Sequence, residues 1–327
     1  MKINSALLAV SLLTANMTDC CAHPGHDESS PALYSAAGET ISAPAPTTSD
    51  QPKITISILG DYRIFQSNGL PDHKPGGFPN AGNPNRISAQ SYNFRVALKP
   101  QTNATPRDAR GGWFGVALNG VPFEPGTGEF WNGQREWNYE AKSGFINLGL
   151  DANNAHVQPT GAYHYHGLPT GLMDKLGSDA KKMLLVGYAA DGFPIYTSYG
   201  YANATNATSA LKKMRSSWQI KKGERSGGPG GKHDGKFTSD YEYVAGSRDL
   251  DECNGRFGVT PEYPQGIYHY YITDEFPNLA RSWRGTPDAS FFKRGPGGPG
   301  GGGPGGRGPR GPREQRGLGA PPPPPRG

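Results

Sequence analysis

The apolar residues of this chain come in short runs, each stopped within a few residues by Gly, Pro or Asn, and this punctuation constrains the fold more than any other feature. The chain is rich in both breakers, with 48 Gly and 31 Pro among 327 residues, and helical pattern is scarce. The runs fall at residues 54–58, 92–98, 113–118, 145–150, 161–166, 183–189, 194–198, 241–244 and 266–273, and are rich in β-branched and aromatic side chains. Such runs, bounded by turn residues, read as strands. Helical periodicity is confined to residues 172–183 and 208–218. The expectation is a mainly β chain: a sandwich or barrel-like single domain with a few short helices.

An internal duplication organises these strands. Gly115-Val116-Ala117-Leu118-Asn119-Gly120-Val121-Pro122-Phe123 aligns without a gap to Gly187-Tyr188-Ala189-Ala190-Asp191-Gly192-Phe193-Pro194-Ile195. Asn-Gly and Asp-Gly between apolar flanks predict two hairpins whose turns use two positive-φ residues each. Further on, Gly161-Ala162-Tyr163-His164-Tyr165-His166 matches Gly266-Ile267-Tyr268-His269-Tyr270-Tyr271, so both pairs occur in the same order. The second half carries a longer polar insertion, residues 200–236, expected on the surface.

The ends of the chain differ from its middle. Residues 1–22 carry Lys2, an apolar stretch from Ala6 to Leu13 and a small-residue Asp19-Cys20-Cys21-Ala22, the pattern of a secretory signal. The stretch is too short to span a bilayer, and Cys20 or Cys21 stays open as a lipid anchor. Residues 23–52, Ser-, Thr-, Ala- and Pro-rich, read as a disordered linker, residues 53–292 as the β domain, and residues 293–327 as a disordered Gly/Pro/Arg-rich tail. The net charge of +5 belongs to that tail. Seven basic residues against Glu314 give it +6, leaving −1 for residues 1–292. No nucleic-acid partner is expected of an exported chain, and a weak contact between the basic tail and an anionic cell surface is the reading kept for it. After cleavage Cys253 would be the lone cysteine, expected buried, with no disulfide in the mature chain.

Alternation along a strand sets His164 and His166 on one face, with Cα atoms roughly 6.5–7 Å apart, and Tyr163 and Tyr165 on the other. In the second copy the tyrosine face persists as Tyr268 and Tyr270, while the other becomes His269 and Tyr271. His156 precedes His164 by eight residues, with Pro159 and Gly161 to turn the chain between them. The candidate metal ligands are therefore His156, His164, His166 and, if the copies meet across a pseudo-twofold, His269. Neutral imidazoles in that number suit Zn or Cu. The alternative is a buried polar layer in which the histidines bond the backbone.

The stretch from His156 to Gly167, the segment from Gly187 to Tyr196, and Leu250-Asp251-Glu252-Cys253-Asn254-Gly255 with Thr260-Pro261-Glu262-Tyr263-Pro264 resemble the YHYH domain family. That family takes its name from the tetrapeptide found here at Tyr163 to His166, and the resemblance covers roughly residues 54–284. It implies an exported bacterial-type protein and supplies no catalytic residues. Tyr271 departs from a full second Tyr-His-Tyr-His.

Asp191, Asp251, Glu252 and Glu262 are candidate carboxylates beside a metal, each with a duller role as turn residue or solvated charge. No nucleophile elbow, phosphate loop, zinc-finger spacing or dinucleotide fingerprint occurs, so the sequence names no reaction. Two functions compete: a secreted or periplasmic metal-binding domain, and a non-catalytic ligand-binding or surface module built on aromatics such as Trp113, Trp131, Trp137 and Tyr163.

Overall fold

The computed structural model describes residues 51–177 and 181–293. The signal, almost all of the linker and the tail after Lys293 lie outside the described residues. In chain order the strands are β1 (Ile54–Leu59), β2 (Tyr62–Ser67), β3 (Tyr92–Ala97), β4 (Thr102–Asp108), β5 (Gly115–Ala117), β6 (Pro122–Phe123), β7 (Ala155–Val157) and β8 (Tyr163–Tyr165). After a short helix α1 (Thr170–Lys175) come β9 (Leu185–Ala189), β10 (Pro194–Tyr196), β11 (Tyr199–Tyr201), β12 (Leu211–Lys213) and β13 (Trp218–Ile220). The set ends with β14 (Tyr241–Tyr243), β15 (Gly255–Gly258), β16 (Ile267–Tyr271) and β17 (Ser282–Gly285). The fold is mainly β. Among the described residues, no helix is long and apolar enough to cross a membrane.

Eight strands form the large sheet in the order β15-β16-β10-β9-β5-β6-β8-β7, open at β15 and β7 and so not a closed barrel. The order is a palindrome of the repeat. Strands β5 and β9 pair antiparallel with Gly115 opposite Ala189, Val116 opposite Tyr188 and Ala117 opposite Gly187. In the gap-free alignment Gly115 matches Gly187, Val116 matches Tyr188 and Ala117 matches Ala189. A pseudo-twofold axis therefore passes through the Val116–Tyr188 pair, and each strand on one side has its counterpart on the other. β6 runs parallel to β8, and β10 runs parallel to β16.

The hairpin turns differ from the expected two-residue type. Gly120 and Gly192 have φ of +81° and +98°, whereas Asn119 and Asp191 do not take positive φ. Gly120 N–H donates to Ala117 O at 2.8 Å and Ala117 N–H to Val121 O at 2.9 Å, and Ala189, Gly192 and Phe193 repeat both bonds. One left-handed residue then suffices, as in a type I turn with a following glycine.

A three-stranded antiparallel sheet, β1-β2-β3, lies against the centre of the large one. Alternation on β3 turns Phe94 and Val96 inward and Asn93 and Arg95 outward. Phe65 on β2 brings its ring to 6.1 Å from that of Tyr188, at the pseudo-twofold. These side chains join Val116, Phe123, Tyr163, Tyr165, Tyr270 and Trp283 in one core. Two other expectations fail. Residues 208–218 form no helix, because β12 and the start of β13 occupy them and β12 finds a partner in β11. Residues 145–150 form no strand.

Candidate metal centre

Two periodicities assemble the histidines. On the antiparallel β7–β8 hairpin, His156 sits directly opposite His164. Alternation past the end of β8 then returns His166 to the same face, where its N–H donates to Asn154 O at 2.7 Å. The three imidazole rings are nearly equidistant, with centroids 4.7, 4.7 and 4.8 Å apart. Nε2 of His166 is 3.0 Å from Nε2 of both His156 and His164. His164 and His166 are buried, and His156 is half-buried.

Hydrogen bonds at the far ring nitrogens decide the tautomers. Nδ1 of His156 is 2.8 Å from Leu148 O, and Nδ1 of His164 is 3.1 Å from Ala162 O. A carbonyl only accepts, so both Nδ1 atoms carry the proton and both Nε2 atoms present lone pairs. The amide nitrogen of Asn83 donates to Val157 O at 2.9 Å and lies 3.2 Å from Nδ1 of His156, farther than the Leu148 carbonyl that takes the Nδ1 proton. Nδ1 of His166 has no hydrogen-bond partner among the described residues. Burial, reinforced by the neighbouring imidazoles, pushes His164 and His166 well below the ordinary histidine range. Three imidazoles whose Nε2 atoms converge, two of them with far nitrogens tied to carbonyls, are a donor set that suits a borderline metal ion. One nitrogen from each of the three lies within 4.8 Å of the others, so the triad is of a size to hold an ion.

A carboxylate that sequence reasoning missed stands beside them. Glu124 follows β6, and its N–H donates to Tyr165 O at 2.9 Å, which extends the parallel pairing with β8 by one residue. Its Oε2 lies 3.3 Å from Nε2 of His164 and accepts from Nε2 of Gln158 at 2.6 Å. Its Oε1 pairs with Lys293, whose ammonium rests 4.1 Å from the centroid of the Trp113 ring. That ring packs against His164 at 5.6 Å. Glu124 also lines a cleft of about 480 Å³ that Thr127, Phe130, Trp218 and Arg281 help to wall. The available signal was its place one step beyond the repeat, on a strand that runs beside the histidines.

Residues 93–285, more than half of the chain, match the family described as YHYH protein. The chain belongs to the YHYH family. No curated protein and no solved structure matches it.

In this YHYH protein the tyrosines of the name and its histidines part company across β8. Tyr163 donates to Asp151 Oδ2 at 2.7 Å, and Tyr268 in the second copy donates to Asp251 at 2.9 Å. Asn154 and Asn254, with φ of 54° and 56°, hold equivalent turns, and their carbonyls accept from His166 and Tyr271. Against the β7–β8 register, β15–β16 sets Arg256 opposite His269. The second copy thus has Arg256 where the first has His156, and Tyr271 where it has His166.

The structure does not bring His269 to the other three. Five strand-to-strand steps separate β16 from β8, roughly 24 Å at about 4.8 Å each. The copies meet through β5 and β9, which sends their histidine strands to opposite flanks. Nδ1 of His269 bonds Ile267 O at 2.9 Å, and Tyr271 donates to its Nε2 at 2.8 Å. The four candidate carboxylates also have other partners. Asp191 accepts from Tyr270 and from the N–H of Gly285, and burial pushes its carboxyl up to about 6. Asp251 holds Tyr268, Glu252 pairs with Arg284, and Glu262 accepts from Tyr196. Cys253 is buried and free, and burial pushes its thiol up, away from reactivity.

Proposed function

We propose that this protein is an exported metal-binding domain that holds one Zn²⁺ or Cu²⁺ through Nε2 of His156, His164 and His166. The observation that carries this reading is the near-threefold convergence of three imidazoles, two of them locked by backbone carbonyls with their Nε2 lone pairs inward. Without a cation these lone pairs repel one another in a buried site, and a single shared proton cannot point along all three edges. Export is inferred from residues 1–22, which carry the pattern of a secretory signal.

The second reading, a ligand-binding or surface module with structural histidines, draws on the lack of a partner at Nδ1 of His166. In that reading Nε2 of His166 is the protonated atom and donates to a neighbouring imidazole. It is the weaker reading, because Trp113 and Tyr163, two of the aromatics it would expose, are buried.

Metal analysis of the purified protein after loading with zinc or copper and exhaustive dialysis separates the two. One equivalent bound to wild type and none to His164→Ala supports the metal centre, since losing one of three ligands removes most of the site's affinity. Equal occupancy in the two proteins, or none in wild type, would leave the structural reading in place.

A further inference from the structure

Among the described residues, Glu124 is the carboxylate that comes within 4 Å of a triad nitrogen, and it also lines the neighbouring cleft. We propose that Glu124, through Oε2, is the fourth ligand of the centre and closes it toward the cleft; this rests on the metal reading above.

The backbone argument comes first. Phe123 on β6 is opposite Tyr165 on β8, and their rings pack at 5.6 Å in the core. The next residue therefore turns to the other face of the sheet, the face of His164 and His166. Distance is the second argument. Two donor atoms each about 2.0–2.1 Å from a tetrahedral ion stand about 3.3–3.4 Å apart. The separation of Oε2 from Nε2 of His164 is 3.3 Å. Both atoms carry lone pairs on the tautomer set by Ala162 O, so the approach is repulsive unless a cation lies against both. The carboxylate is also held in place. Gln158 uses one lone pair of Oε2 and Lys293 engages Oε1, which leaves the remaining lone pair of Oε2 for the ion.

The second half of the molecule supplies an independent observation. Phe123 aligns with Ile195, so Glu124 corresponds to Tyr196, and Ile195 sits opposite Tyr270 as Phe123 sits opposite Tyr165. Of the four positions in question the second copy keeps only His269. Arg256, Tyr271 and Tyr196 replace the other three together, and Tyr196 packs edge-on to His269 at 5.4 Å. Three donors absent as a set from one copy and present as a set in the other behave as one constellation.

Co²⁺ is the probe, because its visible absorption reports ligand number and type. The full-length wild type, Glu124→Gln and Glu124→Ala are titrated with Co²⁺, with His164→Ala as the control for the triad and circular dichroism as the check of folding. The expected result is one equivalent with an intense tetrahedral spectrum in wild type and an affinity at least ~100-fold lower in Glu124→Gln, beyond the 10–100-fold typical of residues that only orient a ligand. Glu124→Ala should show an altered spectrum that millimolar formate or acetate restores, since a small carboxylate can enter from the cleft. Should Glu124→Ala fail to fold, the isosteric Glu124→Gln carries the test. Unchanged affinity and spectrum in the Glu124 variants, with Co²⁺ lost from His164→Ala, would overturn the role of Glu124 and leave the triad standing. A wild type that takes up no Co²⁺ would overturn both.

Discussion

On β8 the hydroxyl of Tyr165 accepts from Asn119 at 2.9 Å and meets Nε2 of His73 at 2.6 Å, on the side of the strand away from the imidazoles. Removing it leaves Asn119 and His73 short of a partner within the protein, a cost of about 1–3 kcal/mol per unsatisfied group. Tyr165→Phe should therefore lower the urea midpoint while metal stoichiometry, measured on the same samples, stays that of wild type. A loss of metal would mean that the two faces are not independent. His269 makes a different residue-scale case. Its Nδ1–H is used by Ile267 O and its Nε2 by the Tyr271 hydroxyl, with Arg256 near that hydroxyl, so a second proton has nowhere to go. Burial pushes its pKa from 6.5 down to about 4. The unfolded chain binds this proton first on acidification, so the stability present above pH 6.5 is lost as pH falls toward 4. The shift amounts to about 3 kcal/mol across that window. Subtracting the pH–stability curve of His269→Gln from that of wild type should show this slope, and a flat difference would refute the assignment.

At the scale of elements, the β5–β6 hairpin sets where β6, and hence Glu124, meets β8. Gly120 holds the left-handed position of its turn, and an added Cβ would come within 2.2 Å of Oγ and 2.5 Å of Cβ of Ser67 on β2. Ser67 Oγ in turn donates to Gly120 O at 3.0 Å, so turn and neighbouring sheet are tied. Gly120→Ala should cost at least about 2 kcal/mol in chemical denaturation, from backbone strain plus the displacement of β2. A cost of a few tenths would show that the turn adapts. The β7–β8 hairpin has a different sensitivity. With His156 opposite His164, a one-residue slip would carry the β7 side chains to the opposite face and dismantle the triad.

At the scale of the whole molecule, the pseudo-twofold makes two flanks from one pattern, with imidazoles and a carboxylate on one and Tyr, Arg and a single His on the other. Arg256→His combined with Tyr271→His rebuilds the three-histidine set around His269 on the second flank. The double variant should bind two equivalents of zinc where wild type binds one, read by metal analysis with near-ultraviolet circular dichroism as the check of fold. A stoichiometry of one in a folded variant would show that the flanks are not equivalent. The tail, by contrast, should be dispensable. Deleting residues 295–327, which have almost no apolar side chains, is expected to leave Tm within error. Much of the plan was legible in the chain because it rests on local periodicities. Short punctuated runs implied strands, alternation placed His164 and His166 together opposite the tyrosines, and two matched segments in the same order announced the repeat. The helix expected at residues 208–218 failed because β12 gains more from pairing with β11 than local pattern reveals. What only the tertiary structure decided is which distant strands become neighbours. Parallel pairing of β6 with β8 brought in Glu124, forty residues before His164 and unmarked by any motif. Pairing of β5 with β9 carried His269 to the far flank. Alternation along one strand is a property of the backbone and can be read in the chain. The order of strands in a sheet is settled by packing the whole core, which no segment encodes alone.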